Sequence, residues 1–191
     1  MMAETAKAKQ RRIREGFFDA YCQGRGIDIG CGDDPLDGAT TWDWGDGDAV
    51  HVNGLTHGVY DFVYSSHCLE HLSDPVLAIQ NWWRLLKSNG YLILFVPHRD
   101  LFERSRTLRV DPSDYANPVV HRCFILPDRS DPPHTWGLLD LVNQALGNAP
   151  RDFIYMKRCD ENYEFRPWGE PLPGEFSIEL VMRKGVSDAD L

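Results

Sequence analysis

The sequence predicts an α/β protein whose core is a mostly parallel sheet. Three features carry that reading. Short strand-like runs at Gly26–Ile29, Thr40–Trp44, Ala49–Val52 and Tyr60–Ser65 lead into a strongly signalled helix. Tyr91–Val96 is apolar throughout, as expected of a strand buried on both faces. Asp152–Arg158 and Phe176–Arg183 then close the pattern as two strands with no helix between them, a late antiparallel pair.

The opening element is a helix over residues 3–22, with Ile13, Phe17, Ala20 and Tyr21 at helical spacing and Gly24 as its stop. Gly26–Ile29 runs directly into Gly30-Cys31-Gly32, and Gly45-Asp46-Gly47-Asp48 turns the chain between the second and third strands. The central helix has Asp74 as N-cap and Pro75 at its first position. Leu77, Ile79, Trp82, Trp83, Leu85 and Leu86 form its interior, and Gly90 its stop. An irregular stretch spans Pro97 to Pro133, after which Thr135 is placed to cap a helix over Trp136–Leu146. The tail from Val186 is expected to fray.

Composition excludes several classes. The 42% hydrophobic and 26% charged fractions are those of a globular chain, not a disordered one. The 191 residues suit one domain. A net charge of −9 argues against non-specific nucleic-acid binding, which depends on neutralising phosphates, although a local basic groove stays open. No apolar run approaches the ~18 residues of a membrane span. Residues 1–16 are basic but lead into no apolar core, so they do not read as a secretory leader. Five scattered cysteines, never spaced C-x-x-C, read as reduced thiols in a cytoplasmic protein.

The chemistry concentrates in Asp28-Ile29-Gly30-Cys31-Gly32, where glycines let the backbone turn sharply and approach a ligand. A dinucleotide fingerprint requires a third glycine, and Pro35 stands in its place. No P-loop pattern occurs. Three more blocks follow in order: Asp43 at the end of the second strand, Tyr60-Asp61-Phe62-Val63-Tyr64-Ser65-Ser66-His67-Cys68-Leu69-Glu70-His71-Leu72, and Arg84-Leu85-Leu86-Lys87-Ser88-Asn89-Gly90-Tyr91-Leu92-Ile93-Leu94-Phe95-Val96-Pro97. With these blocks, residues 24–98 resemble the class I S-adenosylmethionine-dependent methyltransferases, in particular the small bacterial-type group with D-x-G-x-G and LEH motifs.

The resemblance implies a Rossmann-like three-layer fold with a mostly parallel seven-stranded sheet and a final antiparallel strand. It implies S-adenosylmethionine as cofactor and S-adenosylhomocysteine as product. Gly30, Cys31 and Gly32 would pass beneath the methionine part, with Asp28 holding the loop or reaching the amino group. Asp43 would accept from the ribose hydroxyls, a charge-assisted arrangement. Trp44 would pack on ribose or adenine, or else be an ordinary core aromatic. Asn53 and Gly54 would meet the adenine edge, and Ser65 with Ser66 would lie at the ammonium. One departure stands out. Only 12 residues separate Gly30 from Asp43 and eight separate Val52 from Asp61, so the helices after strands 1 and 2 are reduced or missing.

The histidines supply candidate bases. His98 directly follows the fifth strand, where open parallel sheets bind ligands, and an imidazole there could accept a hydroxyl proton; a loop histidine bonded to backbone is the alternative. His121 and His67 are its rivals. His67 and His71 flank Glu70, but H-C-L-E-H is not H-E-x-x-H and no third ligand is marked, so no metal is expected. Residues 99–131 hold six arginines and six acids without a lysine, which suits internal bidentate pairing. Segment 98–134 is expected to be a lid or acceptor-binding segment. No N-P-P-Y tetrad follows the fourth strand, which tilts the acceptor atom toward oxygen. The expected function is methyl transfer to a sugar, polysaccharide precursor or small metabolite. A nucleic-acid-modifying enzyme that uses the basic opening helix, or a non-catalytic cofactor-binding module, is the alternative.

Overall fold

In the computed structural model, residues 4–104 and 121–186 are described. The main sheet is built from β1 (Gly26–Ile29), β2 (Thr40–Trp42), β3 (Tyr60–Ser66), β4 (Leu86–Pro97), β7 (Arg151–Cys159) and β8 (Ser177–Lys184), in the order β2-β1-β3-β4-β8-β7. The first four strands run parallel. β8 is antiparallel to both β4 and β7, which realises the expected late pair. A second, unexpected sheet pairs β5 (Phe124–Leu126) with β6 (Thr135–Gly137) in parallel.

Among the described residues the main sheet has six strands, not seven. The missing one is Ala49–Val52, which forms turns, with Val52 at a left-handed φ of 44°. Its apolar residues are still buried: Val50 and Val52 both enter the core. Its carbonyls, however, are taken by the helix beneath instead of by a neighbouring strand. Asn81 Nδ2 donates to the Val50 carbonyl and Trp82 Nε1 to that of Ala49, each at 2.8 Å. β2 is therefore the sheet edge.

The helices cover both faces. α3 (Pro75–Leu85) begins as its sequence signals require, with Asp74 Oδ1 accepting from Leu77 N at 2.9 Å. It ends at Leu85 rather than at Gly90, because Leu86 already pairs with Tyr60 across the sheet. α3 and α5 (Leu138–Leu146) bury Ile27, Ile29, Val63, Leu92 and Leu94 on one face. Thr135 does not cap α5: it lies in β6, and Gly137 is the N-cap. The expected single opening helix is broken at Gly16, with φ at 66°, into α1 (Glu4–Arg14) and α2 (Phe17–Tyr21). Phe17 packs on Phe62, Tyr64, Ile93 and Val181 on the opposite face, completing three layers.

α1 is fastened by charge. Arg11 and Arg12 are buried, and both reach the carboxylate of Glu179 on β8, at 3.1 and 2.6 Å; Arg11 also holds Glu175 at 2.9 Å. These are two of the cations that would have formed a nucleic-acid-binding edge, and they face inward. Arg99 and Arg104 likewise bond internally, the first to Thr135 Oγ1 and the second to the carbonyls of Arg166, Pro167 and Glu170. Arg106, Arg109 and Tyr115 lie outside the described residues. No described helix is long and apolar enough to cross a membrane.

Candidate functional site

The carboxyl ends of β1, β2, β3 and β4 open on one rim, where Gly30, Asp43, His67 and His98 follow their strands. In parallel sheets this is the edge that receives ligands. Gly30 leaves β1 at a φ of 75°, its amide donating to the Trp42 carbonyl at 2.8 Å. A Cβ at this position would lie 2.5 Å from Cys68 Sγ. Glycine is thus required both by the left-handed backbone and by the turn that follows β3. Gly32 also has positive φ, 52°, but open space lies where its side chain would be.

Asp28 is buried within β1, and its Oδ2 accepts from Leu36 N at 2.8 Å, tying the far end of the loop to its start. Its Oδ1 is buried without a hydrogen-bond partner, and burial raises the carboxyl to about 6. Asp43 meets the loop from the other side. Its Oδ2 accepts from Gly32 N at 2.6 Å and its Oδ1 from Trp44 N at 2.8 Å, while Cys31 Sγ stands 3.8 Å from Oδ2. Trp44 is 78% exposed, so the core-aromatic alternative does not hold. Asn53 and Gly54 lie exposed on the turn after Val52, not after a strand. Ser65 and Ser66 are buried at the end of β3; the Ser65 hydroxyl donates to the Ile29 carbonyl and Ser66 Oγ lies 2.6 Å from Thr5 Oγ1 of α1.

The histidines divide into two settings. His98 is the buried N-cap of α4 (Arg99–Glu103): its Nδ1 accepts from Asp100 N at 3.2 Å, and its amide donates to the Phe176 carbonyl. Burial lowers its pKa. This is the backbone-bonded arrangement, with Nε2 carrying the proton in the neutral ring.

His67, His71 and His121 instead gather around Glu70 in the 3₁₀ turn Leu69–His71. Glu70 is fully buried, both of its carboxylate oxygens lack a hydrogen-bond partner, and burial pushes its pKa up to about 8. His121 arrives because Arg122 N and Cys123 N both donate to the Glu70 carbonyl, and its ring stacks on Phe102 with centroids 4.6 Å apart. Burial, with His71 adding to it, takes the His121 pKa down to about 3, and burial drives His67 well below its ordinary value. His67 Nε2 is 2.9 Å from Ser177 Oγ. The H-C-L-E-H spacing pointed to part of this cluster; His121, 50 residues beyond His71, carried no sequence signal for joining it.

Residues 34–94, from the end of the glycine loop through most of β4, match a protein-family model described as a methyltransferase domain. A structure of an S-adenosylmethionine-dependent methyltransferase from Methanosarcina mazei superposes with a TM-score of 0.57 at 16% identity, covering 90% of this chain and 98% of its own. One from Archaeoglobus fulgidus does so with a TM-score of 0.52 at 17% identity, covering 95% and 94%. The fold is that of S-adenosylmethionine-dependent methyltransferases. No curated protein sequence matches the chain. Family match and methyltransferase fold together support an enzyme that uses S-adenosylmethionine. The residues of the rim fit that cofactor's chemistry: a glycine with free space above it, a carboxylate with lone pairs to spare, an exposed indole and an orphaned buried carboxylate oxygen.

Proposed function

We propose that the protein transfers a methyl group from S-adenosylmethionine to an oxygen of a small polar acceptor, such as a sugar, a polysaccharide precursor or a small metabolite. The observation that carries the cofactor half of this reading is the Gly32–Asp43–Trp44 arrangement. The carboxylate is fixed at the end of β2 by the loop amide, and the indole beside it is left in solvent. Asp43 accepts from the ribose hydroxyls with its remaining lone pairs, and Trp44 lies against the flat face of ribose or adenine. Gly30, Cys31 and Gly32 run beneath the methionine part, Ser65 and Ser66 border it, and Asn53 with Gly54 border the adenine. Asp28 acts chiefly by holding the loop through Leu36.

When bound, the cofactor supplies an electrophilic sulfonium methyl. The protein's share of the catalysis is alignment of the acceptor with that carbon, the positioning effect that holding reactants in one geometry provides. Oxygen is favoured over nitrogen because Ser65-Ser66-His67-Cys68 stands where amino-group methylators of the N-P-P-Y type carry their tetrad. Of the base candidates, His98 spends Nδ1 on a backbone cap and His67 Nε2 meets Ser177 Oγ. His121, in segment 98–134, the proposed lid, faces Glu70 with a pKa taken down to about 3, so alignment rather than a histidine base carries the transfer. Calorimetry with S-adenosylhomocysteine tests the cofactor site, and an acceptor screen that measures its release tests the transfer. Binding without transfer to any hydroxyl acceptor would favour the binding-module reading.

A further inference from the structure

We propose that Glu70, His71 and His121 form a binding site for a divalent first-row transition metal ion, with zinc as the ion to test first. One ligand atom from each lies within 4.8 Å of the others. From Glu70 Oε1 it is 3.6 Å to His71 Nε2 and 3.9 Å to His121 Nε2. These separations are too long for hydrogen bonds. They are close to what a shared ion demands: with metal–ligand bonds of roughly 2.0–2.1 Å, tetrahedral ligands stand about 3.3 Å apart. Closing the site asks the two Glu70 separations to shorten by a few tenths of an ångström and the two histidine nitrogens, within 4.8 Å of each other, to approach by up to about 1.5 Å, a side-chain rotation.

A second observation points the same way. Glu70 is 0% exposed and neither of its carboxylate oxygens has a hydrogen-bond donor. Burying a carboxylate is costly unless it is protonated, paired or coordinated to a metal. The groups that face it are the imidazoles of His67, His71 and His121, a side chain whose neutral form ligates metals. Two histidines and one carboxylate are a ligand set known for zinc and for non-haem iron. The cluster is also braced as ligands usually are. Phe102 fixes the His121 ring by stacking, and two backbone amides hold the Glu70 carbonyl. His67, whose Nδ1 is 3.5 Å from Glu70 Oε1 and whose Nε2 is held by Ser177, stands ready as a fourth ligand or as an outer-shell partner. With three protein ligands, a coordination position is left for water or an acceptor oxygen at the same rim as the glycine loop. The site itself does not depend on the methyltransferase reading.

The test uses the full chain, stripped with a chelator and titrated with Zn²⁺ in competition with a chromophoric chelator. One equivalent should bind, with micromolar or tighter affinity, and should raise the melting temperature. Cobalt substitution should give the intense visible bands of a low-coordinate ion. Loss of an outer-shell partner alone typically costs 10–100-fold in affinity. Glu70→Gln, His71→Ala and His121→Ala should therefore each weaken zinc binding at least about tenfold and shrink the thermal shift. If Glu70→Gln does not fold, His71→Ala, at a half-buried position, carries the test with circular dichroism as the control. The proposal is overturned if the wild type takes up no equivalent of zinc. It is equally overturned if the folded variants bind as tightly as wild type, which would place the ion on the cysteines instead.

Discussion

Asp43 and Gly32 are joined by a 2.6 Å hydrogen bond in which the glycine amide donates to the carboxylate Oδ2, so the end of β2 fixes the loop that leaves β1. One carboxylate therefore has two duties in the proposed site: it shapes the loop, and it offers lone pairs to a ribose. The two duties can be separated. Asp43→Ala removes both and should weaken S-adenosylhomocysteine binding by about 1.5–3 kcal/mol, the range for hydrogen bonds to a charged group. Asp43→Asn keeps an acceptor for Gly32 and should fall between Ala and wild type. Calorimetry reads both variants; unchanged affinity in Asp43→Ala would move the ribose acid elsewhere.

The two loop glycines should respond differently to a side chain. At Gly30 a Cβ meets Cys68 at 2.5 Å on a backbone with φ of 75°. A valine there combines steric overlap with strain, each worth about 1–3 kcal/mol. Gly30→Val should therefore lower the melting temperature by more than about 5 °C, so lost cofactor binding in that variant would not be diagnostic. Gly32 has the same handedness but open space around it. Gly32→Ala should cost only ~1–2 kcal/mol of stability and still reduce S-adenosylhomocysteine affinity at least fivefold. A folded Gly32→Ala that binds normally would remove this glycine from the cofactor's path.

His98 separates a base from a cap. A general base at the rim predicts a loss of turnover of roughly 10²–10⁴-fold in His98→Ala. The observed bond from Asp100 N to Nδ1 predicts a different result. Loss of the cap should cost ~0.5–2 kcal/mol of stability, His98→Asn should restore most of it, and turnover should fall by less than about tenfold in either variant. A hundredfold loss in a His98→Asn protein of normal stability would return the base role to His98. The comparison needs only denaturant melts and initial rates.

How far the sequence reached depended on whether the deciding contact was local. β1, β3, the N-terminal cap of α3 and the antiparallel closing pair follow from runs and caps within a few residues, and the structure reproduces them. Ala49–Val52 had the composition of a strand, yet its carbonyls bond to Asn81 and Trp82, some thirty residues away, a competition that no local pattern reveals. The opening helix broke at Gly16, where a left-handed φ outweighed the helical spacing that continues into Phe17. At the candidate site, the placement of the loop glycines, Asp28 and Asp43 together was legible because β1 and β2 deliver them to one rim. The Glu70 cluster was half legible. His67 and His71 lie beside Glu70 in the chain, whereas His121 is delivered by two backbone hydrogen bonds to the Glu70 carbonyl.

The buried ion cluster under α1 makes the fold sensitive to acid. Burial by itself pushes the Glu179 carboxyl up, but the charges and hydrogen bonds of Arg12 and Arg11 more than reverse this and hold it at about 2. Tyr155 Oη adds a third donor at 2.9 Å. Since the folded-state pKa is depressed, the stabilisation is complete above the unfolded value near 4.5 and is lost as pH falls from there through about 2. Its size is on the order of 3 kcal/mol. Glu179→Gln should destabilise the protein by about 3–5 kcal/mol at pH 7, because two arginines stay buried with less to pair with. Its stability should then fall less steeply than wild type between pH 4.5 and 3, so urea melts of the two proteins should converge in acid. Parallel pH profiles would mean that Glu179 is not the titrating partner. The same cluster anchors the helix whose Thr5 meets Ser66 at the end of β3. A wild type that loosens α1 in acid should therefore lose affinity for S-adenosylhomocysteine before it unfolds globally, which calorimetry at falling pH set beside circular dichroism can follow.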